Sequence, residues 1–262
     1  MAKKWNTIWA ADIRAVRGLF FMNMTLIILA PLIGLVTITP QLVLFSVGLY
    51  YLFGCLGIVA SFHRFHSHNS FEFKRKSTEI LWTLLGHLAG SGSALGWVAI
   101  HRLHHKAPDT EKDPHSPIHG VWPTLTADYH YGDSHWRNLK DMMAKDYVVI
   151  LHKYYFMFLL CYTAALYIIG GFGAVYYCFT LPSAITLAMS GFTNYVAHLP
   201  WLGYQSYSDA GHSTNTWWSA IFNCGEGWHN NHHHDPANFT TKHRWWEFDM
   251  AGSAIRLVKT NA

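Results

Sequence analysis

The nineteen lysines and arginines of this 262-residue chain fall in three clusters: four before residue 19, eleven between residues 62 and 153, and four after residue 192. The intervening stretches 19–61 and 154–192 carry no lysine, arginine, aspartate or glutamate. Residues 19–38 and 42–61 are two apolar runs of twenty residues, each long enough at about 1.5 Å per residue to cross roughly 30 Å of hydrocarbon. Only Thr39-Pro40-Gln41 joins them, so the chain must return to the side it left. Residues 154–169 and 174–192 repeat the arrangement around Gly170-Gly171-Phe172-Gly173. With charge confined outside the two hairpins, the positive-inside rule places both termini and the whole middle segment on the cytoplasmic side. Charged residues make up 13% of the chain, against about a quarter in a soluble domain. The expectation is an all-α membrane protein of one domain (1–262): four transmembrane helices in two hairpins, under a cytoplasmic helical cap built from 62–153 and 193–262.

Two further stretches bear on that topology. Residues 80–100 are apolar and long enough to span, but a span there would carry the segments before and after it to opposite faces. Five glycines and serines between Gly86 and Ser93, together with His87, make it a poor lipid-facing helix, so it reads as a buried or re-entrant segment under the cap. Near the start, Trp5, Ile8, Trp9, Ile13 and Val16 form one helical stripe suited to lying on a membrane surface. The first eighteen residues lack the profile of a cleaved signal. Cys55, Cys161, Cys178 and Cys224 show no C-x-x-C spacing and read as reduced packing residues.

Histidines dominate the segments outside the hairpins. His229-Asn-Asn-His232-His233 and His101-Arg-Leu-His104-His105 share the pattern H-x-x-H-H, which on a helix puts three imidazoles on one face. His63-Arg-Phe-His-Ser-His68 closes a shorter box. Its ends, five residues apart, lie about 140° apart on a regular helix, so that helix must end or distort between them. Asn194 and His198, at i and i+4, leave the cytoplasmic end of the fourth apolar run. One box alone is as well explained by a solvated polar patch, the reading given to His130, His135, His152 and His243. Nine histidines and an asparagine converging on one side of the membrane suffice for two metals with a water between them, and imidazole suits iron, copper, zinc or nickel.

Together these motifs resemble the integral-membrane fatty acyl desaturases, in particular the Δ9 stearoyl-type acyl-CoA and bacterial acyl-lipid branch, from about residue 45 to residue 250. Trp97-x-x-x-His101, Asp109-x-x-x-Asp113-Pro114-His115-Ser116 and Gly203-Tyr204-x-x-Tyr207 through Ser213-Thr214-Asn215 are similar to that family's flanking segments. The resemblance implies four spans, a cytoplasmic cap, a kinked acyl tunnel and two ferrous ions held by His63, His68, His101, His104, His105, His198, His229, His232 and His233. Asn194 would act through a water. It also implies insertion of a cis double bond, most simply Δ9, into a saturated long acyl chain, with O₂ as co-substrate. Departures occur at His66, Gln205, Ser208, Gly211 and Pro123-Thr124-Leu125. None falls on an implied ligand, and they leave the acyl carrier open among CoA, a glycerolipid and acyl carrier protein.

Oxidising an unactivated methylene with O₂ needs two further electrons, and a metal centre supplies that redox chemistry while the protein aims it. Glu226, Asp113 and Asp109 are the candidates for orienting the ligand imidazoles; each reads equally well as a surface carboxylate. The His-Pro-Gly-Gly of a fused cytochrome b5-type domain is absent. Electrons are therefore expected from a separate carrier such as cytochrome b5 or ferredoxin, which Lys74-Arg75-Lys76 would attract as readily as anionic lipid heads. No nucleic-acid partner is expected. Trp245-Trp246 reads as an interfacial anchor. Trp97, Ala188 and Ser190 are the candidate substrate contacts, the last two facing the bulky Tyr50, Tyr51 and Phe53 across the hairpins; ordinary packing of large against small residues gives the same composition. Two rival functions remain: a membrane di-iron fatty acyl or hydrocarbon hydroxylase, whose alkane-oxidising branch carries an H-E-x-x-x-H-H box that is missing here, and a non-catalytic His-rich metal-binding or transport protein, which would place ligands within the bilayer.

Overall fold

The computed structural model describes residues 13–129 and 138–260. His130 and His135, and most of the N-terminal stripe from Trp5, lie outside the described residues. Twelve α-helices are described: α1 (Ile13–Leu32), α2 (Pro40–Tyr51), α3 (Lys76–Leu88), α4 (Ala94–Lys106), α5 (Val121–Leu125), α6 (Lys140–Met143), α7 (Asp146–Lys153), α8 (Tyr155–Val175), α9 (Leu181–Val196), α10 (Trp217–Phe222), α11 (His229–His234) and α12 (Met250–Val258). Among the described residues the only β-pairing is three single bridges, Phe73 with Lys259 and Asn215 with both Tyr204 and Trp228.

Pro40 opens α2 in the first turn, where its missing N–H costs nothing. The helix then continues without a break as a π-helix from Leu52 to Ser67. The second long apolar stretch is broken where the sequence places its turn. Gly170 leaves helical geometry, and Gly171 takes φ 62° and ψ −157°, a conformation open to glycine and strained for other residues. A straight helix would separate Tyr162 from Cys178 by about 24 Å. Instead the Tyr162 hydroxyl donates to the Cys178 carbonyl at 3.1 Å, so the chain folds back on itself. α9 packs against both α1 and α2: Asn23 Nδ2 donates to Ser183 Oγ at 3.0 Å, and Ser46 Oγ on α2 donates at 2.7 Å to the carbonyl of Tyr177, just before α9. The Tyr177 hydroxyl donates to the Thr37 carbonyl, tying the two hairpin turns together.

Four apolar helical segments thus stand side by side. Among the described residues two helices, Pro40–Ser67 and the broken Tyr155–Val196, are by length and composition long and apolar enough to cross a membrane, with a shorter apolar run at Val16–Leu32.

Residues 80–100 do not form one helix. α3 runs back along the π-helix with the backbones of Gly57 and Gly86 in contact; a Cβ on Gly57 would sit 2.2 Å from Gly86 N. The chain then turns through Gly90 and Gly92, both at positive φ, and α4 leaves with Ser93 Oγ accepting from Gly96 N at its N-cap. Ala89, Ala94, Leu95, Val98 and Ala99 are fully buried at this re-entrant bend. His152 is not solvated as the sequence suggests, because it is buried with Nδ1 2.7 Å from Ser93 Oγ. His243 is half-buried and hydrogen-bonds the Tyr207 hydroxyl. The four cysteines are free, and only Cys161 is exposed.

Candidate metal centre

The π-helix resolves the spacing problem of the first box. Its hydrogen bonds run between residues five apart, and the His68 N–H donates to the His63 carbonyl at 3.3 Å. Residues five apart therefore share a face, and the two rings come within 5.0 Å. On α4 and α11 the ordinary α spacing does the same for residues three and four apart.

The nine histidines sort into two groups. His63, His68, His101, His105 and His232 form the first, and His104, His198, His229 and His233 the second. Each H-x-x-H-H box splits between them. α4 gives its i and i+4 residues to the first group and His104 to the second, whereas α11 gives its i and i+4 residues to the second and His232 to the first. In the first group the Nε2 atoms of His63 and His232, His68 and His101, and His105 and His232 lie 2.9, 2.9 and 3.0 Å apart. In the second, His104–His233, His198–His229 and His229–His233 are each 3.1 Å apart. A metal about 2.1 Å from each nitrogen has ligand edges of about 3.0 Å at right-angled bonds and about 3.4 Å in a tetrahedron. The shortest edges are of the size a shared metal imposes on its ligands, and all the ligand atoms of each group lie within 4.8 Å of one another. The rings of His105 and His233, one from each group, stack at 4.5 Å and make the groups adjacent.

Each of the three carboxylates singled out in the sequence lies against a different imidazole. Asp113 Oδ2 accepts from His104 Nδ1 at 2.7 Å, which leaves the His104 Nε2 lone pair facing its group. Glu226 Oε2 lies 2.5 Å from His63 Nδ1 and Asp109 Oδ1 lies 2.9 Å from His198 Nδ1, both approaching off the axis of the N–H bond. Burial first, then the proximity of the other rings, holds His68, His101, His104, His105, His229, His232 and His233 well below the usual imidazole range, so these rings are neutral and able to donate lone pairs. Burial alone would raise Glu226, but His63 and Arg64 outweigh it and bring the carboxyl down to about 2.

Two further supports hold the site, and only the first of them, Arg64, was not singled out from the sequence. Arg64, buried beside His63, sends Nη2 to Glu226 at 2.9 Å and Nη1 to both oxygens of Asp249 at 2.8 and 3.0 Å. Asp249 also caps α12 by accepting from Gly252 N. A lone arginine at the end of a long apolar run is the signal that could have pointed to a buried partner. The second support is Asn215. Its Oδ1 accepts from the N–H groups of Asn230 and Asn231, capping α11 from a distant segment, while its Nδ2 donates to Asn231 Oδ1. The two asparagines inside the third box therefore anchor the helix that carries its histidines.

The other candidates are placed as follows. His66 points away from both groups, with Nε2 3.0 Å from Thr83 Oγ1, and His234 pairs with the exposed Asp209. Asn194 is half-buried and hydrogen-bonds the Tyr129 hydroxyl. His115 stacks on His104 at 4.3 Å. Trp97 stacks on His101 at 4.9 Å, and Ala188 and Ser190 are half-buried on α9.

A family model described as fatty acid desaturase matches residues 39–257. The palmitoyl-monogalactosyldiacylglycerol delta-7 desaturase of Arabidopsis thaliana is 32% identical over 97% of this chain and 68% of its own length. The sn-2 palmitoyl-lipid 9-desaturase of Nostoc sp. is 32% identical over 81% of this chain and 76% of its own, and the sn-1 stearoyl-lipid 9-desaturase of Anabaena variabilis is 32% identical over 80% and 78%. With a family match from residue 39 to 257 that takes in the second hairpin and every histidine box, and a relative 32% identical over 97% of the chain, the chain belongs to the fatty acid desaturase family.

Proposed function

We propose that this desaturase inserts a cis Δ9 double bond into a saturated long acyl chain, using two irons bound by the nine histidines. The carrying observation is the pair of neutral, inward-facing imidazole groups with Nε2 edges of 2.9–3.1 Å. Five nitrogen donors against four make the two positions unequal, and Asn194 is assigned to the less filled one through a water. The Nostoc and Anabaena relatives are named as 9-desaturases of lipid-linked chains, which supports Δ9; the acyl carrier is a glycerolipid, CoA or acyl carrier protein.

Four crossings with a cytoplasmic cap follow from the four apolar segments, the positive-inside count and the outward apolar side chains. Leu32, Leu44, Ile168 and Ile169 are each more than 70% exposed, a surface suited to lipid. When bound, the iron pair would supply the redox chemistry: O₂, two external electrons and two protons, with two hydrogens from the chain, yield two waters and the alkene. The residues do the rest. Asp113, Asp109 and Glu226 fix ring orientation, Arg64 holds Glu226 in place, and the largely buried cluster limits access of bulk water. Trp97, stacked on His101, forms part of the wall, and Ala188 and Ser190 border the acyl chain. Electrons come from an external carrier such as cytochrome b5 or ferredoxin.

Lipid analysis after expression in a host lacking its own desaturase tests this reading. A Δ9 monoene with cis geometry is expected. Hydroxy acids would identify a hydroxylase, and an unchanged profile with bound metal and a working electron donor would identify a metal-binding protein.

A further inference from the structure

The cap carries an apolar shoulder that the metal centre does not use. Between Asp209 and Glu226 the chain has no charged residue, and α10 lies in the middle of that stretch. Its depth is fixed by one bond: the buried Tyr50 hydroxyl donates to the Phe222 carbonyl at 2.5 Å. Tyr50 is ten residues beyond Pro40, which opens α2 at the hairpin turn, and ten residues of helix rise about 15 Å. A hydrocarbon layer is about 30 Å thick. The end of α10 is therefore level with hydrocarbon and not with the water beyond it.

The side chains agree with that depth. Trp217, Ile221 and Phe222 point outward, with Phe222 53% exposed, while Ser219 and Asn223 turn inward. The neighbouring segments extend the same surface. Gly203 packs on the Asn215 backbone and the Thr216 side chain, which brings Trp201 beside α10. Trp228 Nε1 donates to the Phe248 carbonyl, and the Trp228 and Trp246 rings meet at 5.5 Å. This sets the exposed Trp245 and Phe248 alongside the loop that rises from α10. Arg244 lies over the rings of Tyr204 and Trp246, and Lys242 is two residues away. Outward tryptophans with cations on one side and aliphatic side chains on the other are the composition of a surface graded from headgroups to acyl chains.

We propose that residues 200–202, α10 and residues 245–248 form a shoulder immersed in the leaflet nearest the metal centre. Acyl chains contact Ile221 and Phe222, and headgroups contact Lys242 and Arg244. The segment leading into His229 is then seated from within the bilayer. The proposal rests on the membrane reading above and not on the reaction, so it can fail while desaturation stands.

Site-directed spin labelling tests it. With the more accessible Cys161 and Cys178 changed to serine, single labels are placed through Trp217→Cys, Ile221→Cys and Trp245→Cys, with Lys112→Cys as an exposed control. The protein is reconstituted in vesicles of phosphatidylcholine and phosphatidylglycerol, and only variants retaining the parent's iron content are compared. Collisions with O₂ should exceed those with a water-soluble nickel chelate at 217 and 221, with an intermediate ratio at 245 and the reverse at 112. A nickel-dominated ratio at 217 and 221 would put the shoulder in water and overturn the proposal. Low collision rates with both reagents would mean that protein covers it, as in a dimer of this chain, and would overturn it equally.

Discussion

Arg64→Gln should be among the most damaging substitutions outside the histidines, and its cost can be worked from the contacts. The guanidinium is 1% exposed and holds two carboxylates, Asp249 at 2% and Glu226 at 13% side-chain exposure, and it also donates to the Phe239 carbonyl. An exposed ion pair would be worth about 0–1 kcal/mol. Removing one member of a buried pair leaves the other charge without compensation, at about 3–5 kcal/mol. Glutamine restores at most one or two neutral hydrogen bonds, each about 1 kcal/mol, so a loss of about 3 kcal/mol is expected. It should appear locally, because Asp249 caps α12 and links it to Arg64. Native-state hydrogen exchange of the α12 amides in nanodiscs reads the opening free energy of that segment directly. The double variant Arg64→Gln with Asp249→Asn removes the stranded charge and should recover part of the loss. A loss below about 1 kcal/mol, with no recovery in the double variant, would refute the claim that these charges are effectively desolvated.

Alanine at any of the nine histidines should remove most activity, and His68→Ala should lower iron content, while His66→Gln and His234→Ala should keep the parent iron content; iron loss in His66→Gln equal to that in His68→Ala would displace the assignment of the first box. Asn215→Ala should cost about 1–3 kcal/mol by stranding the α11 amides and should reduce iron retention on gel filtration. Glu79 sits among Lys76, Tyr147 and Lys145, which outweigh burial and hold its carboxyl below the usual range. A carboxyl lowered by folding stabilises above its unfolded value, about 4.3, and loses that contribution as pH falls through its lower folded value; Glu79→Gln should therefore be destabilised by about 0.5 kcal/mol near neutral pH, with the gap to the parent in thermal unfolding closing in acid. Ala188→Phe should shift the preferred acyl chain to shorter lengths in a mixed-substrate assay, whereas a uniform fall across lengths would leave a packing role only.

The two hairpins were legible because charge is excluded over whole runs and because Gly170-Gly171 punctuates the second pair. The ligand candidates were legible because imidazoles at fixed spacing stand out beside apolar segments. What remained hidden depends on distant packing. The distortion required between His63 and His68 was clear, but its form, sixteen residues of π-helix, is set against Gly57 and Gly86 and leaves no local trace. Arg64 could not be matched to Asp249, 185 residues away. His152 looked solvated because nothing near it in the sequence announces Ser93. The division of each H-x-x-H-H box between two groups likewise depends on how α4 and α11 face one another, which neither box encodes alone.

That division makes each metal position a cross-link as well as a cofactor site. An ion in the first group ties His105 to His232, closing a loop of 127 residues, and one in the second ties His104 to His233 across 129. In a chain-entropy account, a covalent link closing about 100 residues is worth roughly 4–5 kcal/mol. Losing either ion would free the ends of a long loop as well as empty a site, so the iron-free protein should be a looser molecule in its cap while the apolar hairpins persist. On the di-iron reading proposed above, iron supply would govern the lifetime of the protein as well as its turnover, because an unloaded cap would present its segments to proteases that a loaded one excludes.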